Sequence, residues 1–229
     1  MTEIAPQLAL DFGRSEAFAR DDLVVTPSNA VAVEIIDRWP NWPGTVAILT
    51  GPNGSGKSHM AKAWAQKAGA AVMDGVNISP LPDPIYAVLI DPLPGENTLD
   101  ETGLFHLINT LKAKNGHLLL TTHLPVSSLN LQLADLKSRL DAATQSEILR
   151  PDDALLSGLI AKGFADRQLT VENDVVSYLT LRIERSAAAA RNMVTLIDAE
   201  ALARKSRITR AFVAQVLKGL EADGEPMLF

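Results

Sequence analysis

GPNGSGKS, Gly51 to Ser58, decides the fold of this 229-residue chain. It satisfies the spacing G-x-x-x-x-G-K-[ST] in full, and its flanks satisfy the context that spacing needs. VAILT (46–50) ahead of it is a short apolar run rich in β-branched residues, read as a buried strand. KSHMAKAWAQKAG (57–69) behind it has a helical pattern closed by Gly69 as C-cap. A glycine-rich turn between a strand and a helix lets backbone N–H groups face inward around a β-phosphate, and the helix start adds its dipole. The expected contacts are Gly51, Pro52, Asn53, Gly54, Ser55, Gly56 and His59, with Lys57 reaching the β- and γ-phosphates. Ser58 is expected to ligate Mg2+ through its hydroxyl, so ATP or ADP with Mg2+ is the implied cofactor.

Outward from this loop the alternation continues. AAVMD (70–74), YAVLID (86–91), HLLLTT (117–122) and SEIL (146–149) read as further strands. ETGLFHLINTLKAKNG (101–116) reads as an amphipathic helix with Leu104, Leu107, Ile108 and Leu111 on one face, ended by Asn115-Gly116. Strands alternating with helices imply an α/β fold with a parallel sheet covered on both faces. From Pro151 to about Gly219 the apolar spacing is helical throughout, which implies a small α-helical second domain of three or four helices. The expected organisation is a tail (1–16), an α/β nucleotide-binding base (17–150), a helical domain (151–219) and a C-terminal tail (220–229).

Asp91 ends the strand AVLID, where a carboxylate is placed to hold the magnesium water shell. Many ATPases of this type put a second carboxylate directly after it to position the attacking water. Here that place is Pro92, which neither accepts a proton nor orients water. Nucleotide binding is therefore expected, and efficient hydrolysis by this chain is not.

Composition narrows the alternatives. Net charge is −6, which argues against a chain whose main task is non-specific DNA binding. Basic residues nevertheless concentrate between Arg182 and Arg210, most of them read as a solvated helical face. There is no cysteine, so no disulfide framework and no thiolate metal site. The four histidines are scattered, with no i, i+4 pair to suggest zinc. No apolar run approaches the roughly 20 residues a membrane span needs. Glu3 and the lack of a basic start do not suit a signal peptide, so the cytoplasm is the expected compartment, with no membrane partner.

Taken in order, GPNGSGKSHM, AVLIDPL, LFHLINTLKAKNGHLLLTTHLP and LKSRLDAA resemble the AAA+ module of the bacterial replication initiator DnaA, over roughly residues 18–219. Two features depart from the initiator. Only GVNISPLPDPI (75–85) stands between the second strand and AVLID, where the initiator carries an extra helical insert. No DNA-binding helix-turn-helix domain follows the helical domain, so no direct sequence-specific DNA binding is expected. What remains resembles the Hda family, the DnaA-related regulatory inactivators of the initiator, in its alphaproteobacterial HdaA form.

That resemblance implies roles for several residues. Arg139, in LKSRLD, falls at the family's arginine finger, the group that would act on ATP held by DnaA. Arg191 falls at sensor 2, with Arg185 as the alternative because the alanine run 187–190 loosens the register. Thr121 and Thr122 stand at sensor 1, with Thr122 taken as the contact, and LVVTPSN (23–29) corresponds to the segment over the adenine. Read by itself, LVVTPSN is a turn into a first helix begun by Pro27 or Ser28. PQLALDF (6–12) alternates apolar residues as an extended segment would. It resembles the short motif that binds the DNA polymerase III sliding clamp, through Gln7, Leu8, Leu10 and Phe12. The implied function is a nucleotide-binding regulator that joins the clamp and stimulates hydrolysis of DnaA-bound ATP, preventing over-initiation of replication. Two other readings stay open: a helicase-loader-type AAA+ ATPase, and a non-catalytic clamp adaptor. A homodimer that hides the tail motif is also compatible with the sequence.

Overall fold

β1, Val46–Thr50, is buried along its whole length, as an apolar β-branched run covered on both faces must be. Parity divides its side chains. Ala47 and Leu49 join one core with α1 (Ala30–Arg38) and α2 (Lys57–Ala68), while Val46 and Ile48 join the other with α3 (Glu101–Ala113) and α4 (Ala134–Asp141). The remaining strands are β2 (Ala71–Met73), β3 (Ala87–Ile90), β4 (His117–Thr122) and β5 (Thr144–Glu147). They form one sheet in the order β2-β3-β4-β1-β5, with every pairing parallel. This computed structural model describes residues 20, 23–81, 83–95 and 97–222, with residues 221 and 222 described as helix only. PQLALDF, with Gln7, Leu8, Leu10 and Phe12, lies outside the described residues.

The expected α/β fold is the observed one. Leu104, Leu107, Ile108 and Leu111 of α3 are the buried face anticipated for that helix. Asp100 caps it by accepting from the Gly103 N–H at 2.8 Å. Gly69 closes α2 in the left-handed conformation. Two expectations shift. The first helix begins at Ala30 after Asn29, not at Pro27 or Ser28. Asn29 instead ties its own turn together, its Oδ1 accepting from Thr26 N–H and its Nδ2 donating to Val24 O. The fifth strand is Thr144–Glu147 rather than 146–149, because the ladder to β1 pairs Ala47 with Thr144 and Thr50 with Glu147. Ile148 is the buried residue just beyond it, donating its N–H to Thr50 O.

After β5 the chain is helical: α5 (Asp153–Ala165), α6 (Asn173–Thr180), α7 (Ala187–Ala203) and α8 (Arg210–Ala222). These four pack on a core of their own, including Ile160, Phe164, Val194, Ile197 and Val213. Asp152 caps α5 through the Leu155 N–H, and Ser186 caps α7 through the Ala189 N–H. The last helix runs to Ala222, three residues past the expected end at 219. Among the described residues, no helix is long and apolar enough to cross a membrane.

Candidate functional site

The glycine-rich loop leaves β1 at the carboxyl edge of the sheet and enters α2. Gly56 precedes the helix at φ +99°, a conformation that L side chains rarely adopt. Lys57, the first helical residue, folds back into the loop, where its Nζ donates to Gly51 O at 2.7 Å and Pro52 O at 2.8 Å. Burial holds this ammonium below the ordinary lysine range, and the nearby Asp91 carboxylate partly offsets that. Ser58, one residue on, donates its hydroxyl to Asp91 Oδ1 at 3.0 Å. The loop and the end of β3, more than thirty residues apart in sequence, thus meet at one point.

Asp91 Oδ1 has a second donor, the hydroxyl of Thr121. The alternation of β4 explains which threonine reaches it. Successive side chains of a strand point to opposite faces, so only one of Thr121 and Thr122 can face Asp91. Thr122 turns the other way and closes a local loop, its Oγ1 donating to Leu124 O and accepting from Leu124 N–H. Of the two threonines placed at sensor 1 from the sequence, Thr121 meets Asp91, and Thr122, the one taken as the contact, does not. Thr122 touches the loop through its backbone, where its carbonyl accepts from the Gly51 N–H.

A narrow cleft opens beside the loop. Its walls come from four places: Leu23, Val24 and Asn29 ahead of α1, Ser55, Gly56, His59 and Met60 of the loop and α2, Leu155 and Leu159 of α5, and Ala187 with Arg191 of α7. Leu23, Val24 and Asn29 of LVVTPSN and Arg191 therefore border the same space as His59. Arg185 is engaged elsewhere, donating to Asp153 at 2.6 Å and Pro151 O at 3.3 Å. Asn53 is exposed at the loop's crest. Leu155 and Leu159 were not singled out in the sequence, because nothing in a helical repeat tells which leucine also borders a cleft, and Leu159 packs on its own core while doing so.

The residues fit a nucleotide with Mg2+. Ser55 Oγ is buried at the loop with no hydrogen-bond partner among the described residues, a donor or acceptor held in reserve. Ser58 and Asp91 present two oxygens to one point, enough for a metal that keeps most of its waters. Among the described residues, no group of three His, Asp or Glu side chains could hold a metal independently.

Gly54 joins the loop to the helical unit. Its carbonyl accepts from the Ala187 N–H at 2.9 Å, and a Cβ placed on it would stand 2.5 Å from Ser186 Cβ. The loop crest and the start of α7 thus meet through the Gly54 backbone, the Ala187 N–H and the Ser186 side chain.

Arg139 lies elsewhere. It sits in the last turn of α4, its guanidinium 4.5 Å from the centroid of the Phe105 ring. It lines a cavity of about 660 Å³ with Trp42, Val46, Lys112 and His117. Val46 and His117 begin β1 and β4, so this cavity is at the amino edge of the sheet. One strand length, about 13 Å at 3.3 Å per residue, separates it from the loop.

No protein-family model matches this chain, and no curated protein sequence matches it. Solved structures do. Domain III of the replication initiation protein DnaA of Thermotoga maritima is similar at TM-score 0.72 and 16% identity, covering 93% of this chain and 98% of that one. AMPPCP-bound DnaA of Aquifex aeolicus is similar at TM-score 0.69 and 18% identity, covering 91% and 70%. RuvB of Thermotoga maritima is similar at TM-score 0.68 and 14% identity, covering 89% and 72%. At these identities the likeness shows the fold: a parallel five-stranded α/β sheet with a helical unit, as in DnaA domain III and RuvB.

Proposed function

We propose that the chain is a nucleotide-binding AAA+ regulator that joins the DNA polymerase III sliding clamp and stimulates hydrolysis of ATP held by DnaA, so restraining re-initiation of replication. The observation that carries this reading is the separation of two halves of an ATPase site on one molecule. Lys57, Ser58 and Asp91 gather at the carboxyl edge of the sheet, and the residue after Asp91 is Pro92, which has no group to orient a water. Arg139 stands at the amino edge, beyond reach of its own loop. An arginine so placed serves a neighbour's nucleotide better than its own. The likeness to AMPPCP-bound DnaA supports nucleotide in the loop. ADP would be sufficient as a structural ligand, with Mg2+ on Ser58 and Asp91 neutralising phosphate charge. The clamp contact rests on the sequence of Gln7, Leu8, Leu10 and Phe12 alone, and a role at the replisome would put the protein in the cytoplasm.

The test mixes ATP-loaded DnaA, clamp loaded on DNA and this chain, and follows ATP hydrolysis. The wild type is expected to accelerate it. Arg139→Ala is expected to remove the acceleration, on the order of 10³-fold for a lost finger, while still binding the clamp. Gln7, Leu10 and Phe12 changed together to Ala should lose clamp binding and keep nucleotide binding. Full acceleration by Arg139→Ala would reduce the chain to a tether, and none by the wild type would remove the regulatory reading.

A further inference from the structure

The basic residues between Arg182 and Arg210 divide into two sets. Arg185 and Arg204 are taken by Asp153 and Glu200, and Arg191 borders the cleft. Arg182, Lys205, Arg207 and Arg210 instead gather where α6 ends and α7 turns into α8. Tyr178 joins two of them, with the Arg182 guanidinium 3.8 Å and the Arg210 guanidinium 5.2 Å from its ring centroid. Lys205, Arg207 and Arg210 are exposed. Among the described residues, none of the four enters an ion pair.

A second observation lies in the backbone. The turn after α7 is closed by Ser206 N–H to Ala201 O and Lys205 N–H to Leu202 O, the double bond of a glycine-type C-cap. The residue in the glycine place is Lys205, at φ +48°. Asn115 after α3 and Gln168 after α5 close their helices in the same way, and here the turn carries the exposed Lys205 side chain at a backbone angle that glycine would adopt more readily.

We infer that this edge, formed by Arg182, Lys205, Arg207 and Arg210, is a sequence-independent contact for the phosphodiester backbone of DNA. Arg182 spends one donor on Tyr178 O at 3.2 Å, and its remaining N–H groups and those of the exposed Arg210 are the forks that suit phosphate oxygens. Two guanidiniums already lie against the Tyr178 ring, so phosphates rather than stacked bases are the target. The chain as a whole carries −6, so DNA repels the rest of it and this edge turns inward on approach. Leu181 and Leu202 are exposed at its border, too few apolar groups for the core of a protein interface. The inference does not depend on the clamp or on DnaA, and its test contains neither.

Fluorescence anisotropy of the full chain against a labelled 20-base-pair duplex and a 20-nucleotide single strand, from about 50 to 200 mM salt, measures it. Four phosphate contacts give a log–log salt slope of about −3.6 for duplex and −2.8 for single strand, so duplex affinity should fall about 100-fold over that range. The slope tells which form is held. Lys205→Glu, Arg207→Glu and Arg210→Glu combined should abolish binding. Lys112→Glu, Lys137→Glu and Lys218→Glu combined change net charge equally and should retain most of it. Lys205→Gly separates ligand from fold: the slope should weaken by about one unit while Tm rises. Absence of DNA binding at 50 mM salt, equal loss in both triple variants, a strong base-sequence preference, or binding of labelled poly-glutamate in place of DNA would each overturn the assignment.

Discussion

His117 stands edge-on to two indoles, its ring 5.3 Å from that of Trp42 and 6.2 Å from that of Trp39. Desolvation there lowers its pKa below the ordinary 6.5, because the protonated imidazole loses water and gains no carboxylate. The sign follows from proton counting. Below pH 6.5 the unfolded chain binds a proton that the folded one resists, so stability is full above 6.5 and declines as pH falls toward the folded value. Lys112 and Arg139, which line the same cavity, do nothing to relieve this. Urea unfolding between pH 7.5 and 5 should show the decline, no steeper than about 1.4 kcal/mol per pH unit from this group, and His117→Gln should remove its share. An identical profile in the variant would mean other groups carry the dependence. This cage was invisible in the sequence, where His117 is one of four scattered histidines. The glycine-rich turn between β1 and α2 was legible because eight consecutive residues carry its pattern. Which of two adjacent threonines faces Asp91 was not, because that is a matter of strand parity against a partner thirty residues away.

Elements are joined by contacts of that same kind. Glu101, in the first turn of α3, accepts from the backbone N–H of Gln132 at 3.0 Å and of Leu133 at 2.7 Å. Those donors lead directly into α4, the helix that carries Arg139. A carboxylate that satisfies two N–H groups at once fixes where that helix begins. Glu101→Ala is expected to cost about 1–2 kcal/mol, allowing for partial exposure, which for a chain of this size lowers Tm by roughly 2–8 °C. Thermal unfolding by circular dichroism reads it directly, and an unchanged Tm would mean water replaces the carboxylate without loss. The helices themselves were readable from apolar spacing, as the buried face of α3 shows. Glu101 in that spacing is an ordinary solvated acid. The fifth strand was displaced by two residues for a related reason: its edge position leaves Thr144, Gln145 and Glu147 partly exposed, so the apolar signal falls on Ile148 and Leu149 just past the ladder.

Across the whole molecule, the phosphate loop and the helical unit meet at Gly54, Ser186 and Ala187. Gly54→Ala would push a methyl group against Ser186 at a backbone angle, φ +74°, that alanine resists. The expected result is a loss of about 1–3 kcal/mol in stability and at least about tenfold weaker nucleotide binding, measured by denaturant titration and by a fluorescent nucleotide. Ser186→Gly should partly rescue it, with a coupling of about 0.5–3 kcal/mol, because the two sites share one contact. Strictly additive effects would show that the helical unit does not sense the loop. The contact also constrains how such a chain can change over generations. A side chain at position 54 is eased by a retreat at position 186, so Ser186→Gly arising first opens a path that Gly54→Ala alone does not. What the loop can become at position 54 is therefore conditioned by a residue of the helical unit, and the two positions vary together.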